Sequence, residues 1–389
     1  MIIESVQKRL PKLTVLDVLP PSKSFTAKNT FPLAQDTLFI IKYFFKFCND
    51  SHDFFPDVPT KYYFLHKFLF VVLCKVVQYH EKGWINMGKI ALFSGQGSQY
   101  ERMGLELLEQ DDSLKSIYDT AKEALGFDLY DIIANADAKT LSRTIYAQPA
   151  IMATSLVCLE AAKKRGFTYD AVAGHSLGEY AALVASGMLS METGFQVIQA
   201  RAEAMEAAAS AADGAMYAIL KLTPKEVEQI CEETEGYVIP ANYNSSVQTV
   251  IAGDRDAVER AAETCKSRKA RAVPLAVASA FHTRLMQPAA DAFYGKIQNV
   301  AFQSPNVAFY SNVLGDVRTD FSDMPTALAK HIVSPVRFTD ELLAMQKNGI
   351  DTFVEFGPGK VLTKLVKKTL KDVTAKNCEN RETLEGVLA

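Results

Sequence analysis

Tyr169-Asp170-Ala171-Val172-Ala173-Gly174-His175-Ser176-Leu177-Gly178-Glu179-Tyr180-Ala181-Ala182-Leu183 passes from a short apolar run, through a turn bounded by glycines, into a longer helix-like run. A strand over Tyr169–Ala173 and a helix over Glu179–Ser186 put Ser176 at a sharp strand-to-helix bend, the context in which G-x-S-x-G presents a nucleophile. Glycines two residues either side of the serine let neighbouring backbone approach without a Cβ clash. The helix start supplies unpaired N–H groups and a partial positive charge for a developing oxyanion. Ser176 is therefore the candidate nucleophile. A serine hydroxyl needs a base to take its proton, and the chain has six histidines. His52, His66 and His80 lie far upstream, and His175 adjoins the serine, which leaves His282 and His331. His282, in Ser279-Ala280-Phe281-His282, is the preferred base; the amphipathic run Ala327–Ile332 reads as placing His331 on a helix surface.

Working outward, short apolar runs alternate with longer amphipathic ones from Lys89 onward: a strand near Ile90–Phe93, then helices near Glu101–Gln110, through Ala124 and over Gln148–Arg165. Such alternation predicts an α/β fold, a hydrolase-like, mainly parallel sheet with helices on both faces. Inside it, Met216–Leu220, Pro224–Glu233, Tyr237–Asn242, Thr249–Ala252, Asp254–Lys266 and Ala270–Ala276 read strand, helix, strand, strand, helix, strand. That order is ferredoxin-like. Residues 87–211 and 279–389 are thus read as one large domain, with a βαββαβ subdomain inserted at 212–278.

Residues 1–86 differ in kind: they hold 11 of the 23 Phe and the single Trp, but one of the 20 Gly. They carry 11 Lys+Arg against 7 Asp+Glu, a net of +4, while the remainder carries 31 against 38, a net of −7. Three readings compete: upstream sequence translated from a misassigned start, a small helical module, or a peripheral membrane contact. The first is favoured, because Met87-Gly88-Lys89 directly precedes the first strand. The run Phe64–Val77 is broken by His66, Lys67 and Lys75, too interrupted for a spanning helix. An overall charge of −3 lacks the basic footprint of a nucleic-acid binder. Six scattered cysteines without a CxxC pair indicate neither a zinc site nor a disulfide framework, and fit the cytosol.

Ser94-Gly95-Gln96-Gly97-Ser98-Gln99 follows the first strand but lacks the third glycine of G-x-G-x-x-G, so it reads as a loop offering an oxyanion N–H. Gly357-Pro358-Gly359-Lys360 fails the phosphate-loop spacing and reads as a turn into the last long helix. Together, Phe93-Ser94-Gly95-Gln96-Gly97-Ser98-Gln99, Gly174-His175-Ser176-Leu177-Gly178-Glu179-Tyr180, Arg201, Ala280-Phe281-His282 and Glu355-Phe356-Gly357-Pro358-Gly359 resemble the malonyl-CoA:acyl carrier protein transacylase family, in the same order. The likeness spans about Met87 to Lys371; residues 1–86 have no counterpart.

The resemblance implies that Ser176 accepts the acyl group, His282 is its base, and the backbone N–H groups of Gln96 and Leu177 form the oxyanion hole. Arg201 would grip the malonyl carboxylate, as a planar guanidinium can do bidentately; from sequence alone it is a cation on an Ala-rich helix, read as a solvated surface group. Phe281 resembles the ring that crowds out an α-methyl substituent. Gln148 resembles a pocket-lining glutamine, with a helix-starting surface residue as the alternative. Arg337, in Ser334-Pro335-Val336-Arg337-Phe338, stands where many members carry Gln and would orient the histidine through its main-chain carbonyl. The implied reaction is ping-pong transfer from malonyl-CoA to acyl carrier protein, with no metal or redox cofactor. Lys360, Lys364, Lys367, Lys368 and Lys371 could face an acidic carrier or simply water. The rivals are an acyl hydrolase on this scaffold, for whose neutral acyl groups Arg201 would have no use, and a docking module without turnover, against which Ser176 and His282 both argue.

Overall fold

Residues 88–209, 213–277 and 279–388 are described by the computed structural model of the chain; the expectations for residues 1–86 fall outside them. In chain order the strands are β1 (Lys89–Phe93), β2 (Ala171–Gly174), β3 (Gly214–Leu220), β4 (Val238–Ser245), β5 (Gln248–Asp254), β6 (Arg271–Pro274), β7 (Ala308–Ser311), β8 (Asp316–Val317), β9 (Thr352–Phe356) and β10 (Thr374–Cys378). The main sheet has the order β10-β9-β1-β2-β7-β8 and is parallel except at β8. Its central strands β1, β2, β7 and β9 are mostly apolar and buried, as helices cover both faces, while the edge strands β8 and β10 carry polar residues. Ala91, Phe93, Val172, Val354 and Phe356 pack on one side, and Ile90, Leu92, Ala171, Ala173 and Phe353 on the other.

Register places the site. Phe93 of β1 pairs with Gly174 of β2 and with Phe356 of β9, so three strands end level and their loops open along one edge. Carboxyl ends of parallel strands are where open α/β sheets build their sites. The long helix Thr144–Lys164 lies behind this edge. It is long and apolar enough to cross a membrane, but 83% of its apolar window is buried within the fold, as befits a core helix. The helix expected from Glu101 starts only at Leu105, because Gly104 before it is left-handed, with φ 74°.

The second sheet has the order β4-β5-β3-β6, antiparallel throughout, with the helices Pro224–Glu233 and Arg255–Ser267 joining its strands. One face, with Ile219 and Ile251, packs on those helices. The other, with Met216, Ala218, Val250 and Ala252, belongs to the same core as the large domain. This unit therefore shares its interior with the main fold, which is what brings Asn244, on β4, to the ring of His175 at 2.8 Å.

Candidate active site

Ser176 sits in the left-handed region, with φ 54°. For a residue with a Cβ that conformation is strained, and close packing around it enforces the bend. A Cβ on Gly174 would lie 1.9 Å from the Gly178 carbonyl carbon, and one on Gly178 would lie 2.1 Å from the Phe93 oxygen. The elbow is thus wedged against the end of β1. Its N–H groups are divided between two uses. Ser176 N–H donates to Asn312 Oδ1 at 2.7 Å, whereas no acceptor among the described residues meets the N–H of Leu177 or of Gln96. Those two are the pair expected to receive an oxyanion.

His282 Nε2 lies 2.7 Å from Ser176 Oγ. On the far side of the ring, Nδ1 faces the carbonyl oxygens of His331 at 3.1 Å and Ser334 at 3.0 Å. Carbonyls only accept, so Nδ1 carries the proton and Nε2 turns its lone pair toward the serine. That is the tautomer a general base requires. Burial holds the His282 pKa well below the ordinary imidazole value, helped by His331, Arg201 and His175 nearby.

Two expectations are corrected here. Arg337 does not orient His282: its carbonyl accepts from Glu341 N–H, and its half-exposed side chain pairs with Asp340 at 2.8 Å. The orienting carbonyls come from His331 and Ser334. Nor is His331 on a helix surface; it is 1% exposed, because Met324, Leu328, His331 and Ile332 form the buried stripe of the helix Met324–Val333. That helical spacing was available in the sequence.

Arg201 is also buried, at 1% exposure. Its Nη2 donates to Ser176 Oγ at 3.1 Å and its guanidinium carbon stands 5.1 Å from the Tyr180 ring centre. Nε has no hydrogen-bond partner, and no carboxylate of the described residues lies within ion-pair distance. Burial lowers its pKa. A desolvated cation without a counter-ion is costly, and an anionic group placed beside Ser176 Oγ would offset that cost. Gln148, fully buried, donates to Gln96 Oε1 at 3.2 Å, while Gln96 Nε2 donates to Thr144 Oγ1 at 3.4 Å; the loop after β1 is tethered to the long helix. Phe281 is buried in the core immediately before the base. The lysines Lys360, Lys364, Lys367, Lys368 and Lys371 are exposed on and around the helix Val361–Thr369.

Sequence reasoning missed Asn312, Glu179 and Glu341. Asn312 has no exposed surface and its Nδ2 donates to Gly174 O at 2.7 Å and to Glu341 at 3.1 Å. Its signal was position: a polar residue directly after the apolar run of β7. Glu341 shares the buried stripe with Phe338, Leu342 and Met345, and burial pushes its pKa well up. Elsewhere, Glu355 at the end of β9 accepts from Leu362 N–H, Thr363 N–H and Ser94 Oγ, so the Gly357-Pro358-Gly359 turn is held by a carboxylate.

A profile of the acyl transferase domain family matches residues 91–386. The chain is 41% identical over 304 residues to the malonyl CoA-acyl carrier protein transacylase of Bacillus subtilis, covering 77% of this chain and 96% of that one. Against the Escherichia coli K12 protein of the same name it is 36% identical over 288 residues, covering 73% and 93%. Among solved structures, the Clostridium perfringens malonyl CoA-acyl carrier protein transacylase superposes with a TM-score of 0.75 at 36% identity, covering 77% of this chain and 96% of that one. A malonyl-transacylase solved in complex with its type II PKS acyl-carrier protein gives 0.74 at 32% identity, covering 77% and 99%.

Proposed function

This chain belongs to the malonyl CoA-acyl carrier protein transacylase family, and we propose that Ser176 and His282 carry its reaction, the transfer of a malonyl group from malonyl-CoA to acyl carrier protein. The observation that carries this reading is the 2.7 Å contact between Ser176 Oγ and His282 Nε2, with a buried guanidinium at 3.1 Å from the same oxygen. His282 takes the Oγ proton as Oγ attacks the thioester carbonyl. The tetrahedral oxyanion is received by the N–H groups of Leu177 and Gln96, each such donor contributing about 2.7–4 kcal/mol to the transition state. Collapse breaks the C–S bond, the imidazolium returns its proton to the departing coenzyme A sulfur, and a malonyl-serine ester remains. The carrier's phosphopantetheine thiol, deprotonated by His282, reverses these steps. Arg201 holds the free carboxylate throughout, and Phe281 and Gln148 line the acyl pocket. No resident cofactor enters the scheme, since each proton and oxyanion is handled by the chain itself.

Residues 87–389 are the proposed functional unit. A chain beginning at Met87, incubated with malonyl-CoA and read by intact mass, is expected to gain one malonyl group and to lose it on addition of pantetheinylated carrier. Uptake of label followed by release to water rather than to the carrier would instead favour a hydrolase. The proposed compartment is the cytosol, supported by the free thiols of Cys158, Cys231, Cys265 and Cys378 and checked by cell fractionation.

The exposed lysines on and around the helix Val361–Thr369 are proposed to receive the acidic carrier. Reversing Lys367 and Lys368 to Glu is expected to raise the KM for carrier, and less so at high salt, where such attraction is screened. An unchanged KM would return these lysines to the role of a solvated face.

A further inference from the structure

Behind the dyad lies a carboxylate that the scheme above leaves idle. Glu179, two residues after the elbow's Leu177, is 2% exposed although it sits in the first turn of the helix Gly178–Ala185. Its two oxygens point to two different arms. Oε1 accepts from the backbone N–H of Asn312 at 3.0 Å, and Asn312 Oδ1 in turn accepts from Ser176 N–H at 2.7 Å. Oε2 stands 2.9 Å from His331 Nδ1, a close approach without hydrogen-bond alignment, and the carbonyl of that same His331 accepts from His282 Nδ1 at 3.1 Å. One arm ends on the nucleophile and the other on the base.

We propose that Glu179 is a positioning residue that couples the two halves of the dyad, holding Ser176 through Asn312 and His282 through His331. The arrangement answers a physical need. His282 has carbonyls rather than an acid at Nδ1, so when it becomes an imidazolium no carboxylate among the described residues bonds it directly. Arg201 beside it adds repulsion. Glu179, one ring away, is the carboxylate nearest in the network, and the His331 ring lies 5.4 Å from that of His282, centre to centre. Asn312 is itself locked, since Gly174 O and Glu341 accept from its amide nitrogen, so Oδ1 can point only at the serine N–H. The ionisable groups facing this cluster are His175, Arg201 and Tyr180 around the two histidines, and Glu341 across Asn312.

This inference rests on the Ser176–His282 reading, and its test separates the two. In the full chain, the rate of Ser176 acylation by malonyl-CoA is followed across pH for wild type, Glu179→Gln, His331→Gln and the double variant, alongside thermal melts. Glu179→Gln is expected to slow acylation by roughly tenfold or more, the scale on which a misplaced base costs rate, with KM for malonyl-CoA little changed. Its acidic limb is expected to move to lower pH, because losing a negative charge makes the imidazolium less stable and lowers its pKa. His331→Gln keeps the main-chain carbonyl while detaching it from Glu179, and is expected to be slowed, with its limb moved to higher pH because the ring that depresses His282 is gone. The double variant is expected to be no slower than the worse single, as residues acting through one network are non-additive.

Multiplicative effects, or a limb that stays in place while activity merely tracks the folded fraction, would overturn the coupling role. If Glu179→Gln does not fold, His331→Gln alone decides, by an acylation rate expected to fall while KM and the melting temperature stay at wild-type values; an unchanged rate overturns the role. Failure of wild type to label at Ser176 would instead refute the underlying reading; normal labelling with additive variants refutes only this inference.

Discussion

Replacing His282 with Ala is expected to slow formation of the malonyl-serine ester by roughly 10²–10⁴-fold, the contribution of a positioned general base. The expectation follows from geometry rather than from residue type. Nε2 faces the hydroxyl at 2.7 Å with its lone pair exposed, because two carbonyls hold the proton on Nδ1. Without the ring, the serine must lose its proton to water, a far weaker and unpositioned base. Rapid-mixing intact mass gives the rate directly, and a His282→Ala protein that acylates as fast as wild type would remove this residue from the reaction.

The pH dependence has a definite sign. A base works when neutral, and burial together with neighbouring His331, Arg201 and His175 depresses the His282 pKa. The acidic limb of wild-type acylation is therefore expected below the ordinary imidazole range of about 6.5, with activity retained under conditions where an exposed histidine would already be charged.

Arg201→Ala is expected to reverse acyl preference. Malonyl transfer loses a buried charge-assisted pair, at a cost of about 3 kcal/mol or roughly a hundredfold. Acetyl transfer is expected to improve, because a neutral acyl group no longer has to share its pocket with a desolvated, unpaired cation. The measurement is kcat/KM for malonyl-CoA and acetyl-CoA on wild type and variant. Equal losses on both would mean that the guanidinium serves Ser176 Oγ, to which it donates at 3.1 Å, and not the substrate carboxylate.

Most of the fold was legible because its units are local. The helix Pro224–Glu233 has the bounds its sequence predicts, closed by a capping box in which Thr223 and Glu226 satisfy each other's backbone. The elbow was legible for the same reason: strand, tight turn and helix occupy adjacent residues. The start of the first helix was misjudged by four positions, since nothing in the run Glu101–Gly104 announces that Gly104 turns left-handed there. His331 was misplaced although its stripe with Met324 and Leu328 was readable, because histidine suits a surface as well as an interior.

The amino-acid sequence by itself determined the strand-to-helix bend at Ser176, the α/β alternation around it and the β-α-β-β-α-β order further along, all of which depend on residues close together along the chain. Only the tertiary structure decided the state of the polar groups. The helix Met191–Ala209 sets Glu192, Gln196, Gln199, Glu203 and Glu206 along one part-exposed stripe and Arg201 on the opposite, buried face, so periodicity could place Arg201 inside but could not name Ser176 as its partner. Asn312, Glu179 and Glu341 come from three separate segments, and their worth lies in bonds between them. A side chain's charge is written in its own letter, but its desolvation and its partners are set by what packs across from it, and that is fixed only when distant segments close over one another.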